Sequence, residues 1–218
     1  MNRIVQTKIV IFLVALAPLG RLGWRALHDT LGANPIEVIT HATGDWTLRF
    51  ILITLSVTPL RRITRQYWLI GLRRMLGLFA FFYGTLHFLT YIWLDKFFDT
   101  HEMWKDIAKR PFITLGFSAF VLMIPLALTS TTWSIRRLGG KNWQLLHRLI
   151  YLTGILAIAH YIWLVKADLR KPIEYGIVLG ILLLYRVGAW LSDWRKQAAI
   201  PPTTGARKEA STAYGHTN

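Results

Sequence analysis

The chain contains no cysteine. Disulfides, thiolate metal sites, iron–sulfur clusters and thiol redox chemistry are therefore excluded, and any electrons the chain handles must travel on a bound cofactor. Acidic residues are scarce, 11 against 26 Lys and Arg, and charged residues make up only 17% of the sequence. The G-x-G-x-x-G fingerprint is absent and no soluble domain follows the last apolar segment, so no dinucleotide site of the Rossmann type for NAD(P)H or FAD is expected. No segment alternates apolar and polar residues with period two, which argues against a barrel. There is no internal repeat, and no small-residue cleavage site follows the first apolar run, which reads as a retained anchor.

What fills the space is hydrophobic sequence, 53% of 218 residues. The uncharged runs approach the roughly 20 residues that a membrane-spanning helix needs. They predict six spans, at 8–28, 42–60, 75–95, 111–131, 143–165 and 173–192, joined by short connections. Alternate connecting segments differ sharply in charge. The N-terminus, 61–74, 131–142 and the region from Asp193 hold 14 Lys/Arg against 2 acids, whereas 21–49, 95–110 and 166–174 hold 10 against 9. Basic loops stay in the cytoplasm, so the expected fold is an all-α, integral-membrane six-helix bundle with both termini cytoplasmic. The expected domains are a membrane domain at 1–192 and a disordered tail at 193–218, where Pro, Thr, Gly and mixed charges accumulate. The basic charge thus reports topology, with the lipid bilayer as partner and no nucleic acid. Trp24, Trp46, Trp93, Trp104, Trp133, Trp143, Trp163 and Trp194 lie near span ends, as an interfacial aromatic belt requires.

Three histidines stand inside or at the edge of these runs. His87 lies in a stretch without Asp, Glu, Lys or Arg from Met75 to Leu94, His160 in another from Leu149 to Val165, and His147 one residue before Arg148. An ionisable side chain in hydrocarbon is a functional signal unless it pairs with a neighbouring carbonyl, and imidazole is a preferred axial ligand of haem iron. The third and fifth spans run in the same direction. Counted from their outer ends, His87 and His160 lie roughly 8–10 Å deep at about 1.5 Å per residue, a level at which the two rings can clamp one iron. His147 lies about 20 Å further along the axis and about 140° around an ideal helix. It has no histidine opposite it, because Arg73 and Arg74 occupy the matching level of the third span. Two ligand levels on one helix suggest two redox stations.

Other residues carry alternative readings. Arg73 and Arg74 can neutralise haem propionates, a flavin phosphate or a quinone head from the cytoplasmic side, or serve only as a positive-inside anchor. Arg49 can do the same outside, or extend to the headgroups. Gly77 and Gly84 share one face of the third span, where they admit either a flat macrocycle or a neighbouring helix. Gly176 and Gly180 form a small-xxx-small pair that reads as helix packing. His41 is read as lying in an outer loop.

Arg73-Arg74-Met-Leu-Gly77-Leu leading to Leu86-His87, then Arg110-Pro111-Phe-Ile-Thr-Leu-Gly116, Leu128-Thr129-Ser130-Thr131, Trp143-Gln-Leu-Leu-His147 and Ala159-His160-Tyr161, together resemble the ferric-reductase-like transmembrane family. The resemblance runs from the first span to about residue 192. Within that family the chain looks like the haem-binding membrane subunits that serve periplasmic protein-methionine-sulfoxide reductases. This implies a b-type cytochrome of the bacterial inner membrane with haem ligands at His87, His147 and His160. It also implies an associated FMN, electrons from membrane quinol, and a periplasmic molybdenum-containing catalytic subunit as partner. Such a chain is an electron-transfer subunit and not the catalytic one. More distant relatives, the NADPH oxidases, have two histidines on each ligand helix; Arg73 and Arg74 stand where the fourth would fall, a departure from a second bis-histidine haem. The alternatives are the membrane subunit of a ferric or cupric reductase and a small transporter with a histidine proton relay. The absence of a flavin and nicotinamide domain counts against the first, and the absence of a broken-helix signature against the second.

Overall fold

A computed structural model describes residues 3–165 and 167–198. Among these residues the structure consists of helices joined by short turns, with no strand. Helix α1 spans Arg3–Leu27, and its end is tied down by the Arg25 guanidinium, which donates to the Thr30 carbonyl at 2.9 Å. Helix α2, Pro35–Thr64, starts where the Asn34 side chain accepts from the Glu37 amide with Pro35 at the first helical position, and stops at Arg65 in the left-handed region. A short 3-10 stretch, Tyr67–Leu72, leads into α3, Arg73–Leu89, which continues as a π-helical turn over Thr90–Asp95. Helix α4, Thr100–Lys109, is capped by Asp99; α5 is Pro111–Leu128, α6 Thr132–Leu138, α7 Gly140–His147, α8 Leu149–Val165 and α9 Arg170–Ala198.

Helix α2 packs chiefly on α3 and α5 on α8, with further contacts between α3 and α5 and between α2 and α8. Small residues permit the close approaches. A Cβ on Gly84 would meet the Thr47 methyl at 3.5 Å and the Met123 terminus at 3.6 Å, and one on Gly77 would meet the Thr54 methyl at 3.7 Å. Of the two readings for these glycines, the structure gives helix packing. Gly176 likewise faces Ile158 at 3.8 Å, whereas Gly180 faces open space. The centre of the α2–α3 interface is aromatic: Phe50 stacks on Tyr83 at 5.4 Å and on Phe79 at 5.5 Å. Helix α1 joins this core through Phe12, 5.2 Å from Phe79, and through the buried Tyr83 hydroxyl, which donates to the Ala15 carbonyl at 2.8 Å.

Among the described residues, five helical segments are long and apolar enough to cross a membrane: Ile4–Leu27, Tyr67–Asp95, Pro111–Leu128, Gly140–Val165 and Arg170–Lys196. Their outward surfaces carry exposed Val14, Leu128, Ile177 and Leu184, the inverse of a water-soluble surface and suited to lipid. Helix α2 covers the expected second span and is about 45 Å long at 1.5 Å per residue, yet Glu37, Asp45, Arg49, Arg61 and Arg62 lower its apolar character. It buries nine of its residues against other helices, so its composition answers to protein contacts more than to lipid. The 95–110 connection, expected only as a loop, contains the amphipathic α4. The expected fifth span is interrupted at Arg148, whose amide bonds back to the Leu145 carbonyl three residues away. The described residues divide into two units after Leu182. The second begins at Leu183 as the continuation of α9, which remains helical through Ala198, beyond the boundary expected at residue 192. The remainder of the expected tail, 199–218, lies outside the described residues.

Candidate functional site

His87 and His160 come together between α3 and α8, their ring centres 6.1 Å apart and their planes inclined at 74°. Each ring is held by a different neighbouring helix. His87 Nδ1 donates to the Thr40 carbonyl of α2 at 3.0 Å, and His160 Nδ1 donates to the Phe112 carbonyl of α5 at 2.7 Å. A carbonyl can only accept, so both rings carry their proton on Nδ1 and keep the Nε2 lone pair available. A backbone or carboxylate acceptor on the far nitrogen is how metal-binding histidines are oriented.

Each ring also lies on a glycine one helical turn beyond the carbonyl it bonds. A Cβ added at Gly44 would meet His87 Cε1 and Nδ1 at 3.1 Å; one at Gly116 would meet His160 Nδ1 at 2.8 Å and Cε1 at 2.9 Å. Thr40 and Gly44, like Phe112 and Gly116, are separated by four residues and hence share a helix face. The two cradles are built alike: a carbonyl takes the Nδ1 proton and a missing side chain admits the ring. The sequence reading missed both glycines as site residues. Gly44 falls at the start of the expected second span and Gly116 within a family motif, and neither position has meaning until the opposing histidine is known.

Metal–imidazole bonds of about 2.0–2.1 Å place the centres of two rings coordinating from opposite sides about 6 Å apart. The observed separation fits that distance. Among the described residues no group of three His, Asp or Glu side chains could hold a bare metal ion. The pair thus supplies two protein ligands, which suits a centre whose other ligands come from a macrocycle.

Helices α2 and α9 build a polar network, which reaches the residue after His160 through Tyr161, whose ring lies 6.3 Å from that of Tyr175. Arg49 Nε donates to the Tyr175 hydroxyl at 2.9 Å, its guanidinium lies 4.7 Å from the centre of the Trp46 ring, and it approaches Asp45 at 3.8 Å. Lys171 also approaches Asp45, at 3.9 Å. Arg49 is thus held by partners within the protein while its side chain stays 38% exposed. His41 is exposed but sits within α2 and not in a loop, because the Asn34 cap starts that helix well before it.

His147 is positioned differently. It ends α7, its ring stacks on Trp143 at 3.9 Å, and its Nδ1 bonds to the Trp143 carbonyl of its own helix at 3.2 Å. Its Nε2 is buried with no hydrogen-bond partner; the Leu126 carbonyl of α5 is near it but outside hydrogen-bond geometry. The Arg73 charge is close enough to be felt at the ring. The one-residue break at Arg148 lies between His147 and His160, where the backbone keeps right-handed helical angles. Arg74, next to Arg73, is exposed and borders a groove formed with α1.

Residues 43–158 match the model of the ferric reductase like transmembrane component family. The chain belongs to this family, in its MsrQ group. It is 58% identical over 193 residues to a protein of Herminiimonas arsenicoxydans named protein-methionine-sulfoxide reductase heme-binding subunit MsrQ, covering 88% of this chain and 87% of the relative. Proteins with the same name from Ralstonia nicotianae and Azospira oryzae are 53% and 49% identical, covering 88% and 95% of this chain and 89% and 92% of the relatives. No solved structure matches the chain. Family membership and the five apolar helices together make this a multi-pass membrane protein. The family match includes His87 and His147 and both cradle glycines, and ends two residues before His160.

Proposed function

We propose that this chain is a membrane b-type cytochrome that passes electrons from the quinone pool to a periplasmic molybdenum-containing protein-methionine-sulfoxide reductase, the catalytic subunit MsrP, and so supports repair of oxidised periplasmic proteins. The observation that carries the reading is the His87–His160 pair, 6.1 Å between ring centres with both Nδ1 protons committed to carbonyls. The names of the MsrQ relatives, which call them heme-binding subunits, support the same cofactor. Haem b held by two imidazoles would supply one-electron transfer, with no position left for oxygen.

The residues divide the work. His87 and His160 would hold the haem iron, and the carbonyls of Thr40 and Phe112 fix their tautomers and orientation. Arg49, held by Tyr175, places a cation beside the outer part of the site, where it can meet a propionate. His147, with its buried Nε2, is the ligand position of a second, inner station, and Arg73 supplies the positive charge there. FMN is assigned no residues. The reading includes six crossings, with the polar α2 as the sixth, and a bacterial inner-membrane location with both termini on the basic, cytoplasmic side. It also keeps residues 1–192 as the membrane domain and the remainder as a tail. The balanced outer connection at 95–110, which includes α4, is the face offered to the reductase.

The test is spectroscopic. Detergent-purified protein expressed with ample haem should give a reduced-minus-oxidised b-type spectrum and yield extractable haem. A colourless wild type would sink the reading and favour the proton-relay transporter. Reduction of chelated iron by the purified chain without a periplasmic partner would favour the ferric or cupric reductase.

A further inference from the structure

A groove of about 410 Å³ runs along the outside of α1 and α3, away from the histidine pair. Its walls are apolar: Phe12 from α1, and Phe79 and Phe82 from α3. Phe12 and Phe82 are exposed while Phe79 closes the floor. At one end the polar side chains are two cations, Lys8 and Arg74. Gly71 also lines the groove, in ordinary contact range of the Lys8 ammonium. Among the described residues neither cation forms a salt bridge, and no acidic residue lines the groove.

We propose that this groove is a binding site for an anionic phospholipid, the headgroup phosphate lying between Lys8 and Arg74 and one acyl chain lying over Phe12, Phe79 and Phe82. The argument is charge and surface complementarity. Two cations without a protein counterion at the end of an apolar trough match an amphiphile whose anion and hydrocarbon are adjoining. Basic pockets between membrane helices on the cytoplasmic side bind anionic headgroups for this reason. A quinone head is neutral and leaves both charges unanswered, and the polar ribityl chain of a flavin finds no hydrogen-bonding wall. The site sits at the end of α3 opposite His87, so it does not depend on haem ligation by the His87–His160 pair.

The test uses the full chain in nanodiscs of phosphatidylcholine with a minority of phosphatidylglycerol. Native mass spectrometry after partial delipidation should find phosphatidylglycerol retained preferentially on the wild type. The double variant Lys8→Gln/Arg74→Gln should lose that preference about thirtyfold, the two cations near the surface contributing roughly equally. Arg136→Gln/Arg137→Gln removes the same charge elsewhere and should retain it. Equal loss in both double variants, or no preference in the wild type, overturns the proposal. So does loss of a quinone or of FMN in place of the lipid. Should the first double variant fail to fold by circular dichroism, a photoactivatable phosphatidylglycerol on the unaltered chain decides the matter. Crosslinks on the groove residues of α1 and α3 support the site, and crosslinks confined to other helices refute it. Inorganic phosphate at millimolar concentration should not displace the lipid; displacement would show that the chain-binding trough plays no part.

Discussion

The His87–His160 pair, proposed as the outer position, and His147, proposed as the inner one, are held by different kinds of contact. His87 and His160 each give their Nδ1 proton to a helix other than their own, and each ring rests on a glycine of that same helix. His147 bonds and stacks within α7, on Trp143 four residues earlier. Tertiary packing therefore sets the outer geometry, which requires four helices in one register. Local helix geometry sets the inner one and leaves a buried nitrogen unanswered. A site fixed by four helices can hold two ligands to a tight distance, as redox stations need. A ring fixed by its own helix supplies one ligand and depends on whatever is placed opposite it.

The largest effects should come from removing the ligands themselves. His87→Ala and His160→Ala are expected to abolish the outer low-spin haem signal completely, whereas His147→Ala should leave one low-spin species in the reduced spectrum. Complete haem loss in His147→Ala would overturn the division into outer and inner positions.

Next come the cradles. Gly116→Ala brings a methyl to 2.8 Å from His160 Nδ1, and Gly44→Ala brings one to 3.1 Å from His87. Overpacking of this kind costs about 1–3 kcal/mol, partly offset by the better helix propensity of alanine, up to about 1 kcal/mol. Haem occupancy and thermal stability should therefore fall in Gly116→Ala, fall less in Gly44→Ala, and hold in Gly77→Ala, whose new methyl meets Thr54 at an ordinary 3.7 Å. An inverted order would show that the rings are not seated as the Nδ1 bonds suggest.

The same contrast explains what was legible in the sequence. Helices and their approximate spans follow from uncharged runs, because lipid demands apolar length and that demand is local. The matched depth of His87 and His160 could be counted from the span ends for the same reason, and the structure brings the rings together. Three features could not be read so directly. The start of α2 before His41 depends on the Asn34 cap, which breaks no hydropathy run. The break at Arg148 is a three-residue backbone bond with no proline or glycine at that residue. The glycine cradles and the Arg49–Tyr175 bond join residues far apart in the chain, so their meaning appears only when helices are placed side by side.

A smaller effect should separate the inner position from the outer one. Trp143 Nε1 donates to the Thr129 carbonyl at 2.9 Å, which secures the ring on which His147 stacks. Trp143→Phe removes that bond at a cost of about 1 kcal/mol. It should lower the melting temperature by a few degrees without changing the outer haem signal. An outer signal that moved with it would show that the two positions are mechanically coupled.

The smallest expected effect lies on the outer side. Tyr175→Phe removes the hydroxyl that accepts from Arg49 Nε. Arg49 is partly exposed, so solvent screening limits the loss of stability to about 0.5 kcal/mol. The more telling readout is potential. A fixed cation near the His87–His160 centre favours the reduced state, which carries one positive charge fewer. Releasing the guanidinium from Tyr175 should lower the outer midpoint potential by about 20 mV, the equivalent of about 0.5 kcal/mol for one electron. The inner position should not follow. Arg49→Gln should shift the outer potential in the same direction and further, because it removes the charge as well as its tether. A potential that stays fixed in both variants would remove Arg49 from the site and leave the Tyr175 bond a purely structural link between α2 and α9.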